Sequence, residues 1–259
     1  MLNNKFFQMK NAFLLCFLAF VAVSCSSDDS NGVLQNDAVL IKKIVYSNPS
    51  VTDPNEVNYT YNGTKLLTAQ IDNTVTVKYI YSGDLLTRIN TFNNSDDLIQ
   101  SSAFIYENGR LISATHIIPE ADQGYRSEYS YNADGTISVN NFMGDGFSQN
   151  FVQNPGKFFL GDNQEISKYE EYNLGVSGTR TTTYLYDNKN NPYKNVMGFN
   201  KLLDQGGKYH NITMKVNTNS NNIATASQSF EYIYNEDDFP ESAVRTRADG
   251  ETIILFHYE

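Results

Sequence analysis

The sequence predicts an all-β domain, an antiparallel meander of repeated β-hairpins forming a curved or two-layered sheet. Three observations predict it. A tyrosine-rich segment recurs along the chain as "VNYTYNGTKL", "VKYIYSGDLL", "AFIYENGRLI", "SEYSYNADGTI", "TTYLYDNKNNPY", "FEYIYNEDDFP" and "LFHYE". Within each copy the aromatic residues alternate with period two, the spacing of side chains on one face of a strand. Directly after most of the copies comes Asn-Gly, Ser-Gly or Asp-Gly, residues that accept positive φ and close tight turns.

In each copy the tyrosine ends an incoming strand, the glycine turns the chain, and an outgoing strand begins at Leu66, Leu85, Leu111 or Ile137. Val57, Tyr59 and Tyr61 share one face, as do Phe230, Tyr232 and Tyr234, and Ile254, Phe256 and Tyr258. The residue between the paired aromatics is Thr60, Ile80, Ile105, Ser130, Leu185 or Ile233, a mixed set that predicts partial cover on the second face too. The second tyrosines fall at Tyr61, Tyr81, Tyr106, Tyr131, Tyr186, Tyr234 and Tyr258, in steps of 20, 25, 25, 55, 48 and 24. Each long step is about twice the others, which predicts degenerate copies at Asn150 to Phe158 and Ile212 to Ile223. A lone hairpin is marginal in water, and rows of cross-strand aromatic pairs, each contributing about 0.2–1 kcal/mol, make the repeat first a folding device.

The amino-terminal 25 residues combine Lys5 and Lys10 with an apolar run from Ala12 to Val23, the pattern of a secretory signal starting at Met1 or Met9. Its end, "AVSC", resembles the lipobox of bacterial lipoproteins, which implies cleavage before Cys25 and lipidation of that residue. The polar "SSDDSNG" that follows resembles an export signal carrying Bacteroidota lipoproteins to the cell surface. The expected organisation is a signal peptide over 1–24, lipidated Cys25 with an acidic tether over 25–37, and a single β domain over 38–259. The expected location is the outer membrane, lipid-anchored and facing the exterior. Cleavage removes two lysines and no acid, taking the formal net charge from −10 to about −12, so nucleic acid is excluded as a partner. Cys16 leaves with the signal, and with Cys25 lipidated the domain has neither disulfide nor thiolate metal site.

"YENGRL" and "YLYDNKNNPY" resemble the YD repeats of the RHS family, with Arg110 and Leu111 matching the arginine-leucine ending. Other copies, such as Thr64-Lys65-Leu66, depart from it. The chain as a whole is similar to repeat-bearing surface lipoproteins of unknown function, a resemblance that implies a fold rather than an activity.

Chemistry leaves few marks. His116, His210 and His257 form no HExxH or paired-histidine spacing, and no GxSxG, P-loop or dinucleotide motif occurs. Adjacent Glu170 and Glu171 point to opposite faces of a strand, which disfavours a carboxylate pair. Acidic turns offer calcium ligands, Asp237 and Asp238 foremost, without EF-hand spacing. No cofactor is implied. Tyr125, Tyr169, Tyr172, Tyr193 and Tyr209 stand outside the repeat register and are the candidate ligand contacts, because an aromatic face with a hydroxyl suits a sugar. The resulting expectation is a non-catalytic binding or scaffold module, anchored to the membrane by lipid, with a glycan or another surface protein as partner. Alternatives are a glycan-binding accessory of a polysaccharide uptake system and a carboxylate-based glycan hydrolase.

Overall fold

The structure, a computed structural model, describes residues 38–48, 55–161, 164–175, 178–203 and 207–259, so the signal, Cys25 and the tether lie outside the described residues. Ala38–Glu259 forms one compact unit. Its strands are β1 (Ile41–Ser47), β2 (Asn55–Asn62), β3 (Lys65–Ile71), β4 (Val75–Ser82), β5 (Leu85–Phe92), β6 (Leu98–Glu107), β7 (Arg110–Ile118), β8 (Gln123–Tyr131) and β9 (Ile137–Gly144). They continue as β10 (Phe151–Val152), β11 (Gly156–Leu160), β12 (Ile166–Tyr172), β13 (Thr179–Tyr186), β14 (Ile212–Thr218), β15 (Ala224–Tyr234), β16 (Pro240–Arg247) and β17 (Gly250–Tyr258).

Successive strands pair antiparallel, and β1 pairs with both β2 and β17, so the meander closes on itself. Short β10 and β11 both lie against β9 and form one stave, interrupted where Pro155 has no N–H to give. The result is a closed 16-strand β-barrel. This corrects the expected curved or two-layered sheet. Closure through β1 and β17 removes both edges, and the second partly covered face is simply the outside of the wall.

The hairpin chemistry follows the predicted pattern. Asn108 and Gly109 take φ of 50° and 73° between β6 and β7, the left-handed pair that a two-residue hairpin turn requires. Just before the second tyrosine the register slips by one residue in β2–β3, β4–β5, β6–β7, β13–β14 and β15–β16. Such a bulge sharpens the bend at a barrel rim. It also leaves the tyrosine and its cross-strand partner, such as Leu66, Leu86 or Leu111, pointing inward. β11–β12 carries the same slip, with Leu160 where the tyrosine would stand. That is the degenerate copy expected near Asn150 to Phe158. The other one does not exist. The long step from Tyr186 to Tyr234 arises because residues 187–203 and 207–211 leave the wall and fold into the barrel as a plug.

Two hydrophobic clusters fill the interior. Ile41, Ile44, Tyr59, Leu66, Ala69, Ala243 and Ile254 gather around Val196, while Leu86, Phe104, Leu111, Tyr129, Ile137 and Val139 gather around Leu202 and Leu203. Val196, Leu202 and Leu203 all belong to the 187–203 part of the plug, and Phe199 packs against both clusters. Walls from both sides of the barrel therefore meet on this plug.

The outer face is mixed, with Leu67, Ile80, Ile105, Leu185, Ile233, Ile253 and Leu255 exposed on it among charged side chains. Lys78, Arg88, Arg126, Glu128, Lys168, Glu170 and Glu231 stand at mid-strand positions whose side chains alternate with the inward row. Outward Phe92, Phe142 and Phe159 each lie beneath a cation: Lys78 at 4.6 Å, Arg126 at 4.2 Å and Lys168 at 3.8 Å from the ring centroids.

Candidate functional site

The interior is the place where the fold gathers chemistry, and it differs from end to end. At the end where the tyrosine hairpins turn, inward tyrosines reach across to a carbonyl at the start of the preceding strand. Tyr61 donates to Ile41 at 2.7 Å, Tyr106 to Leu86 at 2.8 Å, Tyr131 to Leu111 at 3.1 Å and Tyr186 to Ile166 at 2.8 Å. Tyr232 donates to Ile212 at 3.0 Å and Tyr258 to Pro240 at 2.8 Å. Tyr81 aims its buried hydroxyl toward Leu66 without completing a hydrogen bond. Tyr234 departs from the pattern because its hydroxyl meets the Asp187 carboxylate instead. Removal from water pushes the Tyr79 and Tyr81 phenols up to about 12 and raises those of Tyr59, Tyr61 and Tyr258 further.

Two carboxylates latch the plug at its ends. Fully buried Glu165 accepts the backbone N–H groups of Lys208, Tyr209 and His210 at 2.8, 2.7 and 2.9 Å. Asp187 accepts those of Lys189 and Asn211 at 2.9 and 3.0 Å. Between the latches, Met197 N–H donates to the Thr64 carbonyl at 2.9 Å, and Gly198, at φ of 80°, passes so close that a Cβ there would stand 3.0 Å from the Leu86 nitrogen. Beneath the plug is an apolar cavity of about 210 Å³, bordered by Val57, Tyr59, Val77, Tyr79, Tyr193 and Phe199.

Toward the other end the inward rows turn polar. Lys215, Gln228 and Arg247 lie opposite one another on β14, β15 and β16, with Arg245 and Thr252 in the next row. A recess of about 420 Å³ opens beside them, lined also by Asn217, Thr225 and Asp249. Across the barrel a second recess of about 290 Å³ is bordered by Tyr125, Asn141, Asn154 and Glu171.

The candidate tyrosines are dispersed rather than assembled. Tyr193 is not a surface turn residue. It sits in the plug, bonded through its hydroxyl to that of Tyr59 at 2.7 Å and stacked on Phe199 at 5.5 Å. Tyr209 is also in the plug, held by Glu165. Tyr169 points inward from β12 and packs on Phe158 at 4.7 Å. Tyr172 ends the same strand and donates to Glu170 at 2.8 Å. Tyr125 faces the 290 Å³ recess beside His116, whose ring centroid is 6.4 Å away. Asp238 pairs with Lys189, the Asp237 carbonyl accepts from Asn190 at 2.8 Å, and among the described residues no group of three or more His, Cys, Asp or Glu side chains is placed to hold a metal ion. His116 approaches Ser102 at 3.0 Å, His210 lies 3.5 Å from Glu165, and His257 faces outward on β17, so the three histidines are in separate places.

Sequence reasoning missed the plug, its two latches and the basic row. Only the plug left a signal, the loss of alternation through "DNKNNPYKNVMGFNKLLDQGGKYHN".

No protein-family model and no curated protein matches the sequence. Among solved structures the chain is similar to a porin-like protein from Bacteroides vulgatus, with a TM-score of 0.57 at 13% identity over 85% of this chain and 99% of that one. A porin-like protein from Bacteroides uniformis aligns with a TM-score of 0.49 at 11% identity over 85% and 98% of the two chains. The first likeness shows the fold, a closed barrel. It overturns the RHS resemblance: the tyrosine hairpins are staves of one barrel around a plug, not the sheet of a YD-repeat protein.

Proposed function

We propose that the chain is a non-catalytic binding module held at the outer membrane without passing through it. The observation that carries this reading is the direction of the wall. A barrel that spans lipid turns an apolar band outward, about 25 Å tall, and keeps its lumen polar, and a lysine or arginine facing the bilayer midplane costs about 2–4 kcal/mol. Here the aromatic row and both hydrophobic clusters point inward, and mid-strand Lys78, Arg88, Arg126 and Lys168 point outward. The plug fills the tyrosine end, which disfavours conduction.

Likeness to a porin-like protein suggests the outer membrane as the compartment. The lipobox at Cys25 supplies attachment in this reading, since several buried acyl chains give an effectively permanent hold. Leu40 and Glu259 exchange backbone hydrogen bonds at 3.4 and 3.1 Å, so the chain joins the barrel at the tyrosine end. Buried Glu165 and half-buried Asp187 are both engaged with backbone N–H groups, which favours binding over hydrolysis.

Full-length protein in planar bilayers tests the reading: no unitary conductance is expected, and reproducible channel steps would overturn it. Cys25→Ala tests the attachment, with release from membranes at high salt as the expected result.

A further inference from the structure

We infer that the inward wall formed by β14, β15 and β16 is a binding site for a saccharide bearing a carboxylate or sulfate group. The inference rests on the binding-module reading and names its ligand class.

Positive charge gathers where the composition would not lead one to expect it. The chain carries a formal net charge of −10, yet three cations, Lys215, Arg245 and Arg247, converge on one stretch of inner wall. Among the described residues, none of the three forms an ion pair within 4.0 Å, although seven other pairings of lysine or arginine with a carboxylate occur. Their contacts are with neutral groups: Arg247 Nε donates to Gln228 at 3.0 Å, an Arg245 terminal nitrogen donates to Thr252 at 3.0 Å, and Lys215 Nζ stands 5.6 Å from the Tyr184 ring centroid. Arg245 Nε is buried and has no hydrogen-bond partner. A buried donor left unmet is costly, and a guanidinium offers the planar fork that matches carboxylate and sulfate oxygens. Burial, and after it the neighbouring Arg247, push the Arg245 guanidinium below its ordinary value, with Tyr46 and Asp249 opposing.

The recess beside these groups fixes the size and the rest of the chemistry. At about 420 Å³ it far exceeds an inorganic anion and falls within the range of small-molecule sites. Asn217, Thr225 and Gln228 line it with amide and hydroxyl groups that complement sugar hydroxyls. Asp249 lies at the rim without pairing to either arginine, and it would disfavour a second acidic group at that edge.

The test uses full-length protein in detergent and isothermal titration with four probes: a uronate-containing disaccharide, its sulfated counterpart, a neutral disaccharide and inorganic sulfate. The expected result is that at least one acidic disaccharide binds about tenfold or more tightly than the neutral sugar and inorganic sulfate, that salt weakens it, and that Arg247→Gln and Lys215→Gln each lower its affinity about tenfold. Outward Arg88→Gln should leave affinity unchanged, and unaltered melting curves of the variants confirm folding. Equal binding of acidic and neutral sugars, equal binding of inorganic sulfate, or no binding by any probe would overturn the inference. Channel steps in bilayers would instead overturn the reading beneath it, so the two failures are distinguishable.

Discussion

Tyr106 donates its phenolic hydrogen to the carbonyl of Leu86, 20 residues earlier, across 2.8 Å, and the same 20-residue reach joins Tyr61 to Ile41, Tyr131 to Leu111, Tyr186 to Ile166 and Tyr232 to Ile212. The repeat is therefore a tie between neighbouring staves. Each tyrosine satisfies the carbonyl of a buried or half-buried leucine or isoleucine at the rim.

Tyr106→Phe keeps the ring and removes only the tie, leaving the Leu86 carbonyl unmet, so urea melts should show a loss of about 1–3 kcal/mol. Leu86→Ala, at a fully buried position, should cost about 2–5 kcal/mol. On the outer wall Ile105 is 57% exposed, and Ile105→Thr should stay within about 0.5 kcal/mol.

Tyr193 belongs with the core residues. Because its ring lies between Tyr59 and Phe199, Tyr193→Ala should cost about 3–5 kcal/mol. A cost below about 1 kcal/mol, the value expected of a surface turn, would mean that the plug contributes little to the barrel.

Glu165 holds three consecutive backbone N–H groups of the plug. Replacing it with alanine strands those donors, and hydrogen exchange at Lys208, Tyr209 and His210 should accelerate more than exchange in β6 and β7. Uniform acceleration across the barrel would show that the plug does not open as a separate unit.

The phenols predict a stability limit at high pH. Tyr79 and Tyr81 ionise near 12 in the folded barrel against about 10 in the unfolded chain. A group whose folded value is raised gives its full stabilisation below the unfolded value and loses it as pH climbs through the folded one. Stability should thus be flat up to about pH 10 and fall between about 10 and 12, with tyrosinate absorbance rising as the fold is lost. Ionisation complete by pH 11 in an intact fold would contradict the burial of the row.

How much of this was legible follows from which forces act locally. Strand direction, turn chemistry and the inward tyrosine face are set by residues two to five apart, and the sequence displays them from Val57 onward. Barrel closure depends on β1 meeting β17, a pairing of Ile44 with Phe256 that no local pattern announces. The step from Tyr186 to Tyr234 looked like a missing hairpin because spacing alone cannot distinguish a degenerate strand pair from a loop that turns inward. Lys215, Arg245 and Arg247 lie on three strands and become neighbours only through register. Tyr193 looked like a free turn residue because its partners, Tyr59 and Phe199, are supplied by the wall and by the plug itself.

On the reading proposed above the wall faces water, and the absence of native tryptophan permits a direct measurement of it. Ile105→Trp, Leu185→Trp and Ile233→Trp place single fluorophores on outward positions that are 57%, 54% and 65% exposed, while Cys25 stays unchanged. In vesicles containing lipids brominated along the acyl chain, a wall outside the bilayer predicts emission typical of water-exposed indole and no quenching at any of the three. Blue-shifted emission quenched by the brominated chains at these positions would show that the barrel spans the membrane.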